Sequence, residues 1–223
     1  VTIRDSSYLY YVLYLAFTSM FAFAHEGLGF RYVWPEATEW NSRALLFFGF
    51  GTGMFSAQFG RSFLNTRITA PRHDRLLRAM VWICLPGFLV SAVSLQAWLL
   101  EPAGVALALM MTLVLSSGIA ALRSGYRPAR FYIAAWMLLP LSLLIAVMQS
   151  LGFIPYNFVT ASAWKLAIPI EALLLSIALA DRINHLRREL QTLNDGLENR
   201  VAERTGHLER EMRDRVAAEE AKH

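Results

Sequence analysis

Six long apolar segments, separated by short polar connectors, dominate the chain. They lie at approximately residues 8–25, 44–64, 79–100, 103–122, 131–151 and 163–180. Each is close to the roughly 20 helical residues that cross a bilayer core of about 30 Å. None alternates apolar and polar residues with a period of two, as the strands of a membrane barrel do. The pattern therefore predicts an all-α fold, with a polytopic transmembrane helix bundle over residues 1–183.

The composition agrees with an integral membrane protein. Hydrophobic residues make up 56% of the chain and charged residues 17%, and the mean hydropathy of +0.38 is too high for a soluble domain of this length. The net charge of +4 comes mainly from arginines in the connectors and the tail. That distribution indicates membrane topology and not nucleic-acid binding. Because the chain begins without methionine or a signal-peptide layout, we expect it to be part of a longer protein.

The connectors alternate in charge. The second and fourth connectors, and the region after the last segment, collect arginines: Arg61, Arg67, Arg72, Arg75, Arg78, Arg123, Arg127, Arg130, Arg182, Arg187 and Arg188. By contrast, residues 26–43 hold three glutamates against two arginines, Glu101 and Pro102 are expected to form a tight acidic turn, and residues 152–162 carry no charge. Cytoplasmic connectors of membrane proteins are enriched in Lys and Arg. We therefore predict a multi-pass membrane protein with both ends cytoplasmic.

The tail, residues 184–223, is polar, contains no proline and has apolar residues at spacings of mainly three and four. These apolar residues are Leu186, Leu190, Leu193, Leu197, Val201, Leu208, Met212 and Val216. Such spacing predicts a cytoplasmic coiled coil and hence a parallel homodimer. Successive spacings of four are stutters, and Gly196 and Gly206 each cost up to about 1 kcal/mol in a helix, so we expect a marginally stable coil. The alternative is a solvated helix without a partner.

Several stretches, in order along the chain, resemble one family of bacterial receptors. They are RDSSYLYY at 4–11, GLGFRYVWP at 27–35, RSFL at 61–64, GYRPAR at 125–130, and Glu171 with LLLSIALADRIN at 173–184. Together they are similar to the membrane domain of seven-transmembrane receptors with diverse intracellular signalling modules, the 7TMR-DISM family. The resemblance implies a multi-pass protein of the bacterial inner membrane, with seven spans and an extracytoplasmic ligand-binding domain upstream. We therefore expect one further span before Val1.

The resemblance also implies a function. The segment LENRVAERT at 197–205 is similar to the linker that precedes a sensor histidine kinase core and, in some proteins, a diguanylate cyclase. The implied protein is a sensor that relays an extracytoplasmic signal through its last helix to a cytoplasmic output domain. A histidine kinase is the favoured output, and a diguanylate cyclase is the alternative. The sequence predicts no catalytic residue of either enzyme in this chain, and it does not identify the ligand.

Glu171 is the main candidate for a functional residue, because a carboxyl group two turns into a membrane span is costly and tends to face a partner or a cavity. It either stabilises helix association by hydrogen bonding or takes part in signalling. Pro169 is a candidate hinge or a tolerated kink, and Asp181 and Arg182 begin the tail. Pro86 and Pro140 are also expected to kink their spans. Lys165 is expected to extend its side chain to the outer interface.

Other motifs are better explained by structure than by chemistry. Gly49, Gly53 and Ala57 predict close helix packing and not a phosphate loop, since no strand precedes them. The five histidines are scattered and Cys84 is the single cysteine. We therefore predict no metal, no disulfide and no cofactor, and His185 lacks the neighbours of a phosphoacceptor histidine.

One other function class remains as an alternative to a receptor, and the sequence rejects a second, the intramembrane protease. A small-molecule transporter is the main alternative, although the inverted repeats and multiple intramembrane charges common in transporters are not evident. An intramembrane protease would need catalytic residues inside the spans. Every aspartate lies outside the six apolar segments.

Overall fold

The structure, a computed structural model, describes residues 6–94 and 97–220, and within these ranges it leaves out the side chains of residues 97, 161, 207–211 and 213–220. The described residues form helices and connecting turns. The helices are α1 (Ser6–His25), α2 (Thr38–Phe63), α3 (Thr66–Thr69), α4 (Pro71–Val93), α5 (Leu100–Arg123), α6 (Ala129–Trp136), α7 (Leu138–Ser150), α8 (Phe158–Ala161) and α9 (Ala163–Glu220). A π-helical turn at Gly29–Val33 and a 3₁₀ turn at Ala97–Leu99 lie in two of the connectors.

Five helical segments are long and apolar enough to cross a membrane. They are Ser6–His25, Pro71–Val93, Leu100–Arg123, Ala129–Ser150 and the first part of Ala163–Gly206. They coincide with five of the six predicted spans, and the prediction of an all-α, polytopic bundle is confirmed.

The remaining predicted span is α2, which is long enough but more polar. Its 26 residues extend over about 39 Å. Residues such as Thr52, Ser56 and Gln58 lower its hydropathy, yet it has many buried positions, including Phe50 and Phe59. It packs against α1, α4 and α5. A helix enclosed by other helices contacts little lipid, so it can carry small and polar residues that a lipid-facing helix avoids.

Two predicted boundaries are wrong. The predicted tight turn at Glu101 and Pro102 lies instead in the first turn of α5, where the missing N–H of a proline breaks no helical hydrogen bond. The third predicted span, residues 79–100, extends too far, because α4 ends at Val93; the helix begins eight residues before the predicted span, at Pro71, since a proline is favoured at the first position of a helix. As a result Asp74, which the sequence analysis assigns to a connector, lies in the first turn of α4.

The fifth predicted span is divided into α6 and α7 at Met137. The reason is Pro140, whose ring clashes with the carbonyl four residues earlier, here that of Trp136. The break therefore precedes the proline by three residues. In contrast, α4 and α9 continue through Pro86 and Pro169.

Glycines let aromatic rings approach the helix backbones inside the bundle. A side chain at Gly51 would overlap the ring of Phe17, and one at Gly87 would overlap the ring of Phe50. The ring of Phe47 stacks on that of Phe88 at a centroid distance of 4.5 Å. These contacts join α1, α2 and α4 by the close packing that replaces the hydrophobic effect within a membrane.

The chain divides into two compact units, Val1–Leu179 and Ala180–His223, whereas the sequence predicts a boundary after residue 183. The second unit is helical throughout its described part. The predicted seam residues Leu190, Leu193, Leu197, Val201 and Met212 are each more than half exposed, and Leu186 is half-buried. Leu208 and Val216 lie outside the described side chains. The coiled coil and its homodimer stay predictions.

Candidate functional site: a tyrosine–glutamate contact beside a cavity

The side chain of Glu171, on α9, is 1% exposed. Its Oε1 atom accepts a hydrogen bond of 2.7 Å from the hydroxyl group of Tyr14 on α1. Tyr14 is also 1% exposed. A carboxyl group buried in an apolar bundle is costly unless it is hydrogen-bonded, and the phenol supplies that bond. The residue singled out from the sequence is therefore held by a specific partner on the first helix.

A second tyrosine strengthens the link between α1 and α9. The hydroxyl group of Tyr11 donates to the carbonyl oxygen of Ala172 at 2.7 Å and lies 2.6 Å from Oγ of Ser176. Tyr11 and Tyr14 are three residues apart, so they share one face of α1. Two neighbouring phenols thus connect this face to a single stretch of α9.

Aromatic rings extend the site to the other helices of the bundle. The ring of Tyr14 lies 5.3 Å from that of Trp136 on α6, and Trp136 lies 6.0 Å from Tyr132. The ring of Tyr132 in turn stacks on that of Phe63, at the end of α2, with an interplanar angle of 12°. Because these rings are in contact, a movement of Tyr14 requires its neighbours to repack.

A cavity of about 180 Å³ lies next to the Tyr14–Glu171 contact. Six helices line it, with mostly apolar side chains. Tyr14 and Thr18 come from α1, Thr52 from α2 and Trp136 from α6. Ile168, one turn before Glu171, comes from α9. The cavity therefore borders both helices that the tyrosines connect.

The beginning of α9 is also attached to the end of α1. Nζ of Lys165 lies 2.7 Å from Oε2 of Glu26, and the ring of Trp164 lies 5.0 Å from that of His25. The sequence predicts that the Lys165 side chain extends to the outer interface, and in the structure it forms this ion pair with Glu26. Since half of the Lys165 side chain is exposed, the pair adds little stability and mainly fixes the geometry.

A second polar cluster lies at the other end of the bundle, where α2, α3 and α4 meet. The buried carboxylate of Asp74 accepts hydrogen bonds from Nε of Arg61 at 2.9 Å, from Oγ1 of Thr66 at 2.9 Å and from Nη2 of Arg78 at 2.7 Å. The sequence analysis interprets these arginines only as indicators of the cytoplasmic side of the membrane. The four-residue spacing of Asp74 and Arg78 was the one available sign of a pair.

The other predicted site residues are spread along the bundle. Pro169 precedes Glu171 by two positions in α9, and Asp181 and Arg182 are half-buried in the second unit. A methyl group at Gly53 would lie 3.2 Å from the side chain of Leu107, and one at Gly49 would lie 3.3 Å from that of Phe21.

Two further predictions concern packing and metals. Ala57, the third residue of the predicted small-residue ridge, is fully buried. Among the described residues, no three His, Cys, Asp or Glu side chains are grouped as metal ligands would be.

The sequence was compared with known families and proteins. A family model described as 7TM diverse intracellular signalling matches residues 1–182. No match was found among curated proteins or among solved structures. The matched region contains the whole bundle, including Tyr14 and Glu171.

Proposed function

This chain belongs to the 7TM diverse intracellular signalling family, and we propose that it relays an extracytoplasmic signal through α9 to a cytoplasmic output domain. Membership makes the chain a transmembrane signalling module. The output that we favour is a sensor histidine kinase, because of the linker-like segment 197–205, and a diguanylate cyclase is the alternative. In either case α9, which continues into the tail, carries the signal, and the tail forms a parallel homodimer that passes it to the output domain.

The contact between Tyr14 and Glu171 carries this proposal. A relay through a helix requires contacts that hold the helix in one arrangement and can be exchanged for another. This buried hydrogen bond joins α9, the last helix of the bundle, to α1, the first. Leaving a buried polar group unpaired costs about 1–3 kcal/mol, which changes the ratio of two states about 5- to 150-fold. This one contact is therefore strong enough to set the balance between two signalling states.

The position of the contact on α9 supports the same function. The helix has no break between Ala163 and Glu220, so the residues that bind Tyr14 and Tyr11 belong to the same helix as the tail. Apolar seam positions in the tail are exposed in the single chain, as expected of a surface that a second copy would cover.

The test uses Tyr14→Phe and Glu171→Gln in the full-length receptor, with output activity and membrane content measured in cells. Tyr14→Phe removes the donor and leaves the carboxyl group unpaired, so basal output should change about fivefold or more at unchanged membrane content. Glu171→Gln keeps an acceptor oxygen and should have a smaller effect. Tyr8→Phe, an exposed tyrosine on the same helix, is the control.

The proposal would be refuted by a Tyr14→Phe receptor that is present at the wild-type level and has the wild-type basal output and response. The contact would then only stabilise packing. A matching change in the Tyr8→Phe control would equally show that the effect is not specific to the contact.

A further inference from the structure

The wall of the cavity contains buried polar atoms without hydrogen-bond partners. Within the described part of the chain, Oγ1 of Thr52 and Nε1 of Trp136 have no partner, and Oγ1 of Thr18 forms no hydrogen bond of normal geometry although it lies near the hydroxyl group of Tyr14. All three residues line the cavity, and Thr18 and Trp136 are 6% and 4% exposed. They come from three different helices. Polar groups in a membrane interior are normally paired, because no bulk water is available to solvate them.

The two threonines differ from other hydroxyl groups of the bundle. A serine or threonine in a helix usually donates to the carbonyl three or four residues earlier. Ser56 donates to Gly53 at 2.7 Å and Thr112 donates to Ala108 at 2.9 Å. Ser56 lines the same cavity, so the location alone does not prevent this bond. The unpaired state of Thr18 and Thr52 is therefore a local feature that a ligand in the cavity would relieve.

The lining restricts the chemistry of such a ligand. A cavity of about 150 Å³ is enough for benzene, and this cavity is about 180 Å³. Phe21, Leu107 and Met110 provide an apolar surface. The indole N–H group of Trp136 can only donate, so the ligand must bring an acceptor. A charged ligand is excluded by the cost of transferring it into an apolar site.

We propose that this cavity binds a small neutral molecule with an apolar body and one hydrogen-bond-accepting oxygen, such as an aromatic ketone. The two lone pairs of that oxygen accept hydrogen bonds from the hydroxyl groups of Thr18 and Thr52, while the body fills the apolar part. Tyr14 both lines the cavity and donates to Glu171, so occupancy acts on the contact between α1 and α9. That regulatory consequence rests on the proposed function, whereas binding itself does not.

Binding is measured on the purified chain in lipid nanodiscs by fluorine NMR, with para-fluoroacetophenone as the probe. The comparison compound is para-fluoroethylbenzene, which has a similar shape but no oxygen, and protein-free nanodiscs give the background of partition into lipid. We expect a saturable bound signal for the ketone, displaced by unlabelled acetophenone. The affinity for the hydrocarbon should be lower than that for the ketone by a factor of about five or more.

Three variants distinguish hydrogen bonding from simple filling of space. Thr18→Val and Thr52→Val keep the volume and should weaken ketone binding about fivefold each, with no effect on the hydrocarbon. Thr112→Val is the matched control, because its hydroxyl group is exposed and already bonded to Ala108. It should change neither affinity.

Three results would overturn the inference: no saturable signal above the nanodisc background, equal affinity for ketone and hydrocarbon, or equal effects of Thr18→Val and Thr112→Val. The second result would mean an apolar cavity suited to a lipid chain. If the ketone binds as expected but does not alter the output of the full-length receptor, the binding site stands. In that case the regulatory role fails.

Discussion

The carboxylate of Asp74 should be the most important polar group for the stability of the bundle end formed by α2, α3 and α4. The perturbation is Asp74→Ala. It removes the acceptor for Arg61, Thr66 and Arg78 at once. The two ion pairs differ in burial, and this difference predicts which partner matters.

The magnitude follows from the exposure of each partner. The side chain of Arg61 is 12% exposed and that of Asp74 is 5% exposed, so loss of the carboxylate leaves a mostly buried cation unpaired. Breaking a buried pair from one side costs about 3–5 kcal/mol. The pair with Arg78 spans one helical turn and the arginine is 49% exposed, which limits its contribution to about 0.5 kcal/mol. We therefore expect Asp74→Ala to destabilise by about 3 kcal/mol and Arg78→Ala by about 0.5 kcal/mol or less.

The assay is equilibrium unfolding of the purified chain in mixed micelles with increasing dodecyl sulfate, followed by circular dichroism. The double variant Arg61→Ala with Asp74→Ala should lose less stability than the sum of the two single variants, because no unpaired buried charge remains. If Asp74→Ala and Arg78→Ala had equal small effects, or if the Arg61 and Asp74 effects added, the ion pair would not be the stabilising element and this reasoning would be wrong.

Two further predictions concern topology and signal transfer. In a Cys84→Ser background, Thr38→Cys should react with an impermeant thiol reagent in intact cells and Ser124→Cys should not, because arginines mark the cytoplasmic connectors. The opposite labelling pattern would reverse the orientation. Inserting one residue after Glu189 rotates the downstream helix by about 100° and should lock the output of the full-length receptor, whereas seven residues nearly restore the phase and should preserve regulation. Equal outputs for insertions of one to seven residues would show that the segment is a passive tether.

The fold could be predicted from the sequence because each span is a local pattern. Apolar length identifies a membrane helix without knowledge of its neighbours, and five of the six predicted spans were recovered on that basis. The errors occurred where local chemistry competes with hydropathy. Pro71 begins a helix inside an arginine-rich connector, and Pro140 moves a helix break to Met137, three residues before itself.

The site could be predicted only in part. Glu171 was identified because a carboxyl group in a span is unusual, whatever surrounds it. Its partner was not identified, because Tyr14 is 157 positions away and is one of several tyrosines on α1. The cavity and the burial of Asp74 were missed for the same reason. Both depend on which faces of distant helices meet, and hydropathy carries no information about that.

The polarity of α2 has a consequence for the biosynthesis of this protein. The translocon releases a segment into lipid according to the hydrophobicity of that segment, and α2 is the predicted span that falls below the other five. Its retention then depends on helices made before and after it, chiefly α1 and α4, which pack against it. Substitutions that loosen those contacts should therefore lower the amount of correctly inserted protein. Such a defect reduces the number of receptors in the membrane and leaves the sensitivity of each receptor unchanged.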